Sequence, residues 1–307
     1  MTTQTAPANL GNHANPGEPH QYEGRPLPHQ DEPVFDQGLG FDVETISRRR
    51  VLQVLGFGAI SAGMFTIAGC APGTGSTAAP TGAGATTSPT SLTGASCSVI
   101  PEETAGPYPG DGTNGPDVLT ESGVVRQDIS SSFGSSTTKA EGIPLQIRLQ
   151  VVDASNDCAP IPGAAVYLWH CNRDGGYSMY GQGIENENYL RGVQVAGDDG
   201  TVTYASIFPG CYSGRWPHIH FEVYGSLSDA ADASKIIATS QIAMPADACQ
   251  EAYKSAGYEA SVSNLARVSL SADMVFGDDG GAHQIGTMSG TIGQSNSMVT
   301  LQVPVTK

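Results

Sequence analysis

The clearest repeating pattern in the chain is an alternation of apolar and polar residues. In residues 145–151, apolar side chains at the odd positions are separated by Gln146, Arg148 and Gln150. This period of two is typical of a β-strand with one buried face. Six further segments have strand character, most of them bounded by turns rich in Gly, Pro, Asp or Asn: residues 164–170, 201–207, 218–224, 235–244, 267–275 and 298–305.

Helical patterns are scarce along the same region. Only residues 246–255 have helical character, and the strand-like segments follow one another without alternating helices. Such a pattern predicts an all-β fold, an antiparallel β-sandwich or barrel with long loops and little helix. Of these two forms we favour the sandwich, built as one domain of about 200 residues.

Composition supports this prediction and narrows the functional class. The 307 residues include 39 glycines and 20 prolines, and only 14% of the residues are charged, which favours short strands and many turns over long solvated helices. The formal net charge of −16 argues against a nucleic-acid partner, because phosphate binding depends on clustered Lys and Arg. The one dense basic run consists of Arg48, Arg49 and Arg50.

That basic run opens a pattern typical of an export signal. An almost uncharged apolar stretch, residues 54–68, follows it and is shorter than the ~20 residues of a membrane-spanning helix. Paired arginines before such a stretch resemble a twin-arginine signal, which directs proteins across the bacterial inner membrane. Residues 67–70 read Ile-Ala-Gly-Cys and resemble a lipobox, in which Cys70 is lipidated. A buried core helix with an incidental cysteine is the alternative.

These signals predict three regions. Residues 1–69 form a leader with a twin-arginine-type lipoprotein signal peptide, and residues 70–96 form a flexible tether rich in Ala, Gly, Thr, Ser and Pro. Residues 97–307 form the β-sandwich domain. We therefore expect an exported, extracytoplasmic protein that is anchored to the surface of the cell membrane only through the lipid on Cys70.

The remaining cysteines are expected to be structural. An oxidising compartment makes disulfides plausible, but the number of cysteines is odd, so at least one stays free, and their spacing specifies no pairing. The five residues are Cys97, Cys158, Cys171, Cys211 and Cys249.

Two histidines occupy one face of a predicted strand. His218 and His220 are two residues apart, and side chains at i and i+2 of a strand point to the same side. Ile219 and Phe221 then fill the opposite face. Two imidazoles on one face could bind one metal ion, and ordinary surface or hydrogen-bonded histidines are the alternative.

Two tyrosines precede these histidines at turns. Tyr212 lies six residues before His218, after a Pro-Gly turn, and Tyr177 follows a predicted strand that ends in an Asp-Gly-Gly turn. Phenolate is a hard anionic ligand that suits trivalent iron, whereas zinc and copper more readily take His, Cys or carboxylate ligands. Core aromatics with satisfied hydroxyls are the alternative.

The tyrosines and histidines lie within segments that resemble a known family. Four segments resemble, in the same order, the signature segments of the intradiol ring-cleavage dioxygenases: residues 104–108 (TAGPY), 169–177 (WHCNRDGGY), 190–194 (LRGVQ) and 209–221 (PGCYSGRWPHIHF). The last segment is the most specific. The resemblance implies that O₂ and an aromatic diol of the catechol type are the substrates, and that the product is a cis,cis-muconate-type dicarboxylate.

The resemblance also implies a cofactor and its ligands. The cofactor is a mononuclear, non-haem Fe(III) held by Tyr177, Tyr212, His218 and His220. In the family, the tyrosine that corresponds to Tyr212 leaves the metal when the diol binds and accepts one of its protons. Arg215 corresponds to a family arginine that stabilises the charged substrate, so Tyr212 and Arg215 are the expected catalytic residues.

A substrate pocket follows from the same comparison. Gly106, Pro107 and Tyr108 match a family loop that lines the pocket. Gln241 falls where a pocket glutamine often lies, although this match is weaker.

Several alternatives stay open. Tyr180 is a ligand in place of Tyr177 if the turn between them is longer than the family spacing. Cys211 and Trp216 depart from the residues common in the family, which leaves the identity of the diol open. A non-catalytic, surface-anchored β-sandwich binding module and a zinc or copper hydrolase are competing functions. The sequence is compatible with a homo-oligomer but defines no subunit contact.

Overall fold

A computed structural model describes residues 97–307 and the backbone of two short paired strands, β1 (Gln21–Tyr22) and β2 (Arg25–Pro26). The predicted signal at residues 48–68, Cys70 and the predicted tether up to residue 96 lie outside the described residues. Within the part that is described, no helix has the length and apolar character needed to cross a membrane.

Short strands dominate the described region. Three short 3-10 helices also occur, at Leu227–Asp229, Ala233–Lys235 and Leu270–Ala272. The strands and α-helices, in chain order, are β3 (Pro144–Asp153), β4 (Ala159–Pro160), β5 (Ala165–Trp169), β6 (Arg191–Val195), β7 (Thr201–Ile207), β8 (His218–Tyr224), β9 (Ile236–Ala243), α1 (Ala246–Ala252), α2 (Glu259–Leu265), β10 (Thr287–Ser289) and β11 (Met298–Val305).

Two sheets make up the sandwich. One has the order β10-β11-β3-β4, with β7 also paired to β3, and the other has the order β6-β5-β8-β9 with every pair antiparallel. The predicted all-β sandwich is therefore confirmed. The β3–β11 pair departs from the antiparallel expectation, since these two strands run parallel. β11 is the second strand of the β10–β11 hairpin, and its first residue, Met298, pairs with Gln146 near the start of β3.

The core lies between the two sheets, as the alternating pattern predicts. Leu145, Ile147 and Leu149 of β3 share one buried cluster with Ile219 and Phe221 of β8. Every residue of β8 is nevertheless buried, because a second cluster covers the outer face of its sheet. The face of β8 that carries the histidines is thus enclosed rather than open to water.

One predicted strand is wrong. Residues 267–275 contain the 3-10 helix Leu270–Ala272 and turns instead of a strand. The reason is that a side chain replaces a neighbouring strand as the hydrogen-bond acceptor for the backbone. The Asp273 carboxylate accepts hydrogen bonds from the N–H groups of Val275 and Phe276. A carboxylate that binds the amides two and three residues later closes a turn and removes those amides from any ladder.

Two elements longer than three residues were not predicted. Strand β6 begins with Arg191 and Gly192, which break the alternation, and helix α2 buries only Ser261, so it has no apolar stripe. Helix α1 agrees with the helical character of residues 246–255.

The cysteines resolve into one disulfide and three free thiols among the described residues. Cys97 is bonded to Cys158, while Cys171, Cys211 and Cys249 are free and buried. The expectation that at least one cysteine stays free is confirmed. Burial raises the pKa of the Cys171 thiol and of the Cys211 thiol to about 12, so both stay protonated at neutral pH.

The segment that follows Cys97 runs from one end of the sandwich to the histidines. Cys158 immediately precedes β4, which pairs with the last two residues of β3. From Cys97 the chain passes β9, where Glu103 donates its N–H to the carbonyl of Thr239, and reaches Gly106 beside His220. The disulfide therefore fixes one end of the segment from residue 97 to residue 106, and the other end of this segment borders the histidines.

Replacing both Cys97 and Cys158 by Ser is expected to lower the free energy of unfolding by about 2–4 kcal/mol, because the disulfide closes a loop of 61 residues and restricts the unfolded chain. Denaturant unfolding measures the loss. Adding a thiol-specific reductant to the wild type should reproduce it, and adding the reductant to the double variant should change nothing further. A wild type that is equally stable with and without reductant would contradict the prediction.

Candidate metal centre

The two predicted histidines lie side by side at the start of β8. Their Nε2 atoms are 3.1 Å apart, and both side chains are buried. His218 and His220 point away from the sandwich core because Ile219, between them, belongs to it. The strand geometry inferred from the sequence thus brings two imidazole nitrogens to one point.

Two tyrosines complete this cluster. The Oη atoms of Tyr177 and Tyr212 lie 3.3 Å and 3.2 Å from Nε2 of His218. Their rings meet edge to face, with centroids 6.0 Å apart. Four electron-pair donors, two oxygens and two nitrogens, therefore surround one small volume.

The turn before Tyr177 sets its position. The Asn172 side-chain oxygen accepts hydrogen bonds from the N–H groups of Asp174 and Gly176. Gly175 has φ of +88°, and a Cβ atom there would lie 2.9 Å from Cβ of Tyr212. Only glycine permits this backbone and this contact, which explains the Asp-Gly-Gly turn seen in the sequence.

Hydrogen bonding fixes the direction of the His218 lone pair. Nδ1 of His218 lies 2.6 Å from the carbonyl oxygen of Trp216. A carbonyl only accepts, so Nδ1 carries the proton and Nε2 presents its lone pair to the cluster. His220 is oriented by stacking, since its ring lies 4.9 Å from that of Trp169 and nearly parallel to it.

Burial keeps all four donors neutral. It lowers the pKa of His218 and that of His220 well below the usual value, with the neighbouring Arg215 adding to the effect. Burial also raises the pKa of Tyr212 to about 12 and that of Tyr177 well above 10. A positive ion among these groups would reverse the preference of the phenols and stabilise phenolate.

The geometry of the four donors fits one metal ion. Donors that share an ion at bond lengths of about 2.0–2.2 Å are separated by about 3 Å or slightly more, which agrees with the 3.1–3.3 Å found here. In residues 97–307, no three residues of the types His, Cys, Asp and Glu are grouped so that they could hold a metal ion. The cluster at His218 differs from such a group, because two of its four members are tyrosines.

Arg215 lies next to the donor cluster and is held firmly. Its Nε donates to the Asp273 carboxylate at 3.0 Å, and its Nη2 donates to Oε1 of Gln241 at 2.8 Å. Burial acts to lower the pKa of Arg215, but the charge and hydrogen bond of Asp273, together with the nearby tyrosines, outweigh burial and the pKa is raised. The guanidinium is therefore a fixed positive charge.

Asp273 is the partner that sequence reasoning missed. It is 3% exposed and also accepts the backbone N–H of Trp216 at 2.6 Å. It follows Arg215 by 58 residues, in the segment that was predicted as a strand, and no local motif marks it. The one available signal was the Asp residue that interrupts an otherwise strand-like run.

A small cavity opens onto the cluster. The three predicted pocket residues lie in its wall, whereas Gln241 is fully buried between Arg215 and the carbonyl of Thr104, to which its Nε2 donates at 2.9 Å. The lining residues are Gly106, Pro107, Tyr108, Trp169, Tyr177, Tyr212, Arg215 and His220.

Tyr180 and Trp216, whose roles the sequence leaves open, lie in different surroundings. The Tyr180 hydroxyl accepts the N–H of Gly110 and donates to the carbonyl of Asn114, so it is engaged by a loop rather than by the histidines. Trp216 packs in a separate apolar cluster and donates its Nε1–H to the carbonyl of Met244. Trp216 therefore contributes to packing and is not among the residues that line the cavity.

Comparisons with known proteins relate the chain to dioxygenases. A family model described as Dioxygenase (Dioxygenase_C) matches residues 114–249. The chain is 38% identical over 50 residues to chlorocatechol 1,2-dioxygenase of Rhodococcus opacus, covering 16% of this chain and 20% of that protein. It is 36% identical over 72 residues to catechol 1,2-dioxygenase of Pseudomonas sp. (strain EST1001), covering 24% and 23%. The matched segments thus span about a fifth of these relatives.

A solved structure extends the similarity over the whole sandwich. An intradiol ring-cleavage dioxygenase from Tetranychus urticae is 26% identical, with a TM-score of 0.53, and the match covers 68% of this chain and 95% of that one. The two-sheet fold and the family match point the same way. Both indicate the intradiol ring-cleavage dioxygenase family.

Asp273→Asn is expected to lower the free energy of unfolding by about 3 kcal/mol, because it leaves the buried guanidinium of Arg215 without its counter-charge. Denaturant unfolding of the metal-free protein measures the change. Asp279→Asn is the matched control, because Asp279 is exposed and an asparagine there keeps an oxygen for the N–H of Gly281. Equal losses in the two variants would show that the Arg215–Asp273 pair does not stabilise the fold.

Proposed function

We propose that this protein is an intradiol dioxygenase that opens the ring of a catechol-type aromatic diol with O₂ and a mononuclear, non-haem Fe(III), giving a cis,cis-muconate-type dicarboxylate. The observation that carries the proposal is the convergence of two phenol oxygens and the Nε2 atom of His220 on Nε2 of His218, at distances of 3.1–3.3 Å. This donor set borders a cavity with aromatic walls.

The donor set favours ferric iron over other metals. Phenolate is a hard, strongly donating anion and suits a trivalent ion, whereas zinc and copper sites more readily use Cys or carboxylate. Tyr177, Tyr212, His218 and His220 would hold the iron. When bound, ferric iron supplies a Lewis-acidic centre that takes up the diol oxygens and withdraws electron density from the ring.

Tyr212 is the ligand better placed to accept a proton. Tyr177 is buried, whereas Tyr212 is partly exposed, so its ring has more freedom to move when a diol enters. In the proposed reaction its Oη accepts a proton from a diol hydroxyl. His218 and Tyr177 keep their orientation, because the carbonyl of Trp216 fixes the first and burial fixes the second.

Arg215 would stabilise the negative charge that develops on the bound diol. It lies in the cavity wall, and its bonds to Asp273 and Gln241 hold the guanidinium in place before the reaction starts. A fixed charge in a water-poor site needs no reorganisation, and removal of such a group typically costs about 3 kcal/mol of transition-state stabilisation.

The cavity favours a small diol without a carboxylate. Its wall is largely aromatic, and Arg215 is the sole Lys or Arg among the residues that line it. That guanidinium is already paired with Asp273. A ring carboxylate would bring a second negative charge into the cavity without a free cation to receive it.

We further propose that the enzyme works outside the bacterial inner membrane, tethered by a lipid on Cys70. The support is the paired arginines, the short apolar stretch and the lipobox-like end of residues 48–70. Globomycin-sensitive processing of the full chain at Cys70 would support this proposal, and an unprocessed soluble chain would contradict it.

Tyr177→Phe and His220→Ala are each expected to lower iron affinity more than about 100-fold, which is beyond the effect of losing an outer-shell partner. Tyr180→Phe is the matched control, because Tyr180 is bonded to the loop at Gly110 and its loss should leave iron bound. Iron content after dialysis and the visible tyrosinate-to-iron absorption band measure the outcome. Full iron content in Tyr177→Phe would remove that residue from the site.

Oxygen uptake with catechol, protocatechuate and hydroxyquinol tests the activity. We expect uptake with product cleaved between the two hydroxyls, and a higher kcat/KM for catechol than for the carboxylated protocatechuate. Extradiol products, or no uptake by iron-loaded protein, would contradict the proposal and favour a non-catalytic binding module.

Arg215→Ala serves as the mechanistic variant in the same assay. It should retain iron and its absorption band but lose at least about 100-fold in kcat. An unchanged kcat would restrict Arg215 to a structural role.

A further inference from the structure

Arg191 is a buried arginine that pairs with neutral groups. It is 1% exposed, although it stands at the first position of β6. Its guanidinium donates five hydrogen bonds, each to an uncharged acceptor. These acceptors are Ser178 Oγ, Pro109 O, Tyr167 Oη, Tyr108 O and Ser178 O.

The hydrogen bonds of Arg191 join two segments that border the cavity. Nη2 donates to the carbonyls of Tyr108 and Ser178, at 2.9 Å and 3.0 Å. Tyr108 is part of the cavity wall, and Ser178 directly follows Tyr177, a member of the donor cluster. One nitrogen atom thus connects the cavity wall to the segment that carries a metal-binding candidate.

Close packing makes this connection rigid. Gly110 has φ of +68°, and a Cβ atom there would lie 2.8 Å from Nη1 of Arg191. The N–H of Gly110 donates to Oη of Tyr180 at 3.0 Å, and the guanidinium lies over the Tyr180 ring. The wall segment therefore packs directly on the guanidinium, with no room for a side chain between them.

The chemistry at this position requires arginine. Its planar guanidinium offers five N–H donors in a fixed fork, whereas lysine offers three donors on one nitrogen. A buried charge without a counter-charge is costly, so a mere spacer between two loops would more readily be apolar. The fork geometry is what lets one side chain reach both segments and Tyr167.

We propose that Arg191 is a positioning residue that holds the cavity wall at Tyr108 and Pro109 in register with Tyr177, and thereby sets the affinity for the diol. The proposal rests on the proposed function for the meaning of the cavity. It assigns Arg191 no contact with the substrate.

The test compares Arg191→Lys with Arg126→Lys. Arg126 is a matched control because it also donates to backbone carbonyls, at Ser131, Asn188 and Arg191, but touches neither cavity segment. Both variants should lose thermal stability. Arg191→Lys alone should raise KM and the anaerobic Kd for catechol by about tenfold, with iron content kept and kcat changed less than KM.

Equal KM values in the two variants would overturn the proposal, as would a KM shift in Arg191→Lys that is matched by a full loss of iron. Hydrogen exchange in the metal-free protein gives a second measurement that needs no turnover. Amide exchange should speed up at both Gly110 and Tyr180 in Arg191→Lys and at neither in Arg126→Lys. Faster exchange in one segment alone, or in neither, would overturn the proposal even if the wild type proved inactive.

Discussion

The hydrogen bond between Nδ1 of His218 and the carbonyl of Trp216 sets the geometry on which the site depends. By placing the proton on Nδ1, it leaves the lone pair of Nε2 directed at Tyr177, Tyr212 and His220. The bond is shielded from water because every residue of β8 is buried. One face is held by the sandwich core, so the other can carry polar groups in fixed positions away from water.

Two buried arginines near the cavity have hydrogen-bond partners of different charge. Arg215 has a carboxylate partner, Asp273, whereas the hydrogen-bond acceptors of Arg191 are neutral. The first arginine is thus held by an opposite charge and the second by a set of neutral oxygens that its five N–H groups can reach. Of the two, only Arg215 lies in the cavity wall, where a fixed positive charge favours developing negative charge.

The sequence was sufficient for the parts of the site that depend on local order. The i, i+2 spacing of His218 and His220 follows from strand periodicity, and the turn before Tyr177 follows from its glycines. The partners of the arginines could not be predicted, because Asp273 is 58 residues from Arg215 and Tyr108 is 83 residues from Arg191. Arg191 lay inside a recognised segment, but nothing local reveals that its side chain is buried.

The same limit applies to the fold. Alternation marked the strands whose two faces differ, and it was absent from β6, which opens with Arg191 and Gly192. The parallel pairing of β3 with β11 depends on where a late hairpin docks. The Cys97–Cys158 bond likewise joins residues whose proximity arises only after folding.

That disulfide also determines how mechanical load enters the domain. The chain that precedes residue 97 meets the domain at Cys97, which is bonded covalently to the turn before β4. A pull on the preceding chain is therefore delivered through Cys158 to the sheet, at the end of β3 opposite to the strand end that pairs with Ile207. The disulfide therefore takes up part of any such load before it reaches residues 98–110, which include the cavity wall at Gly106.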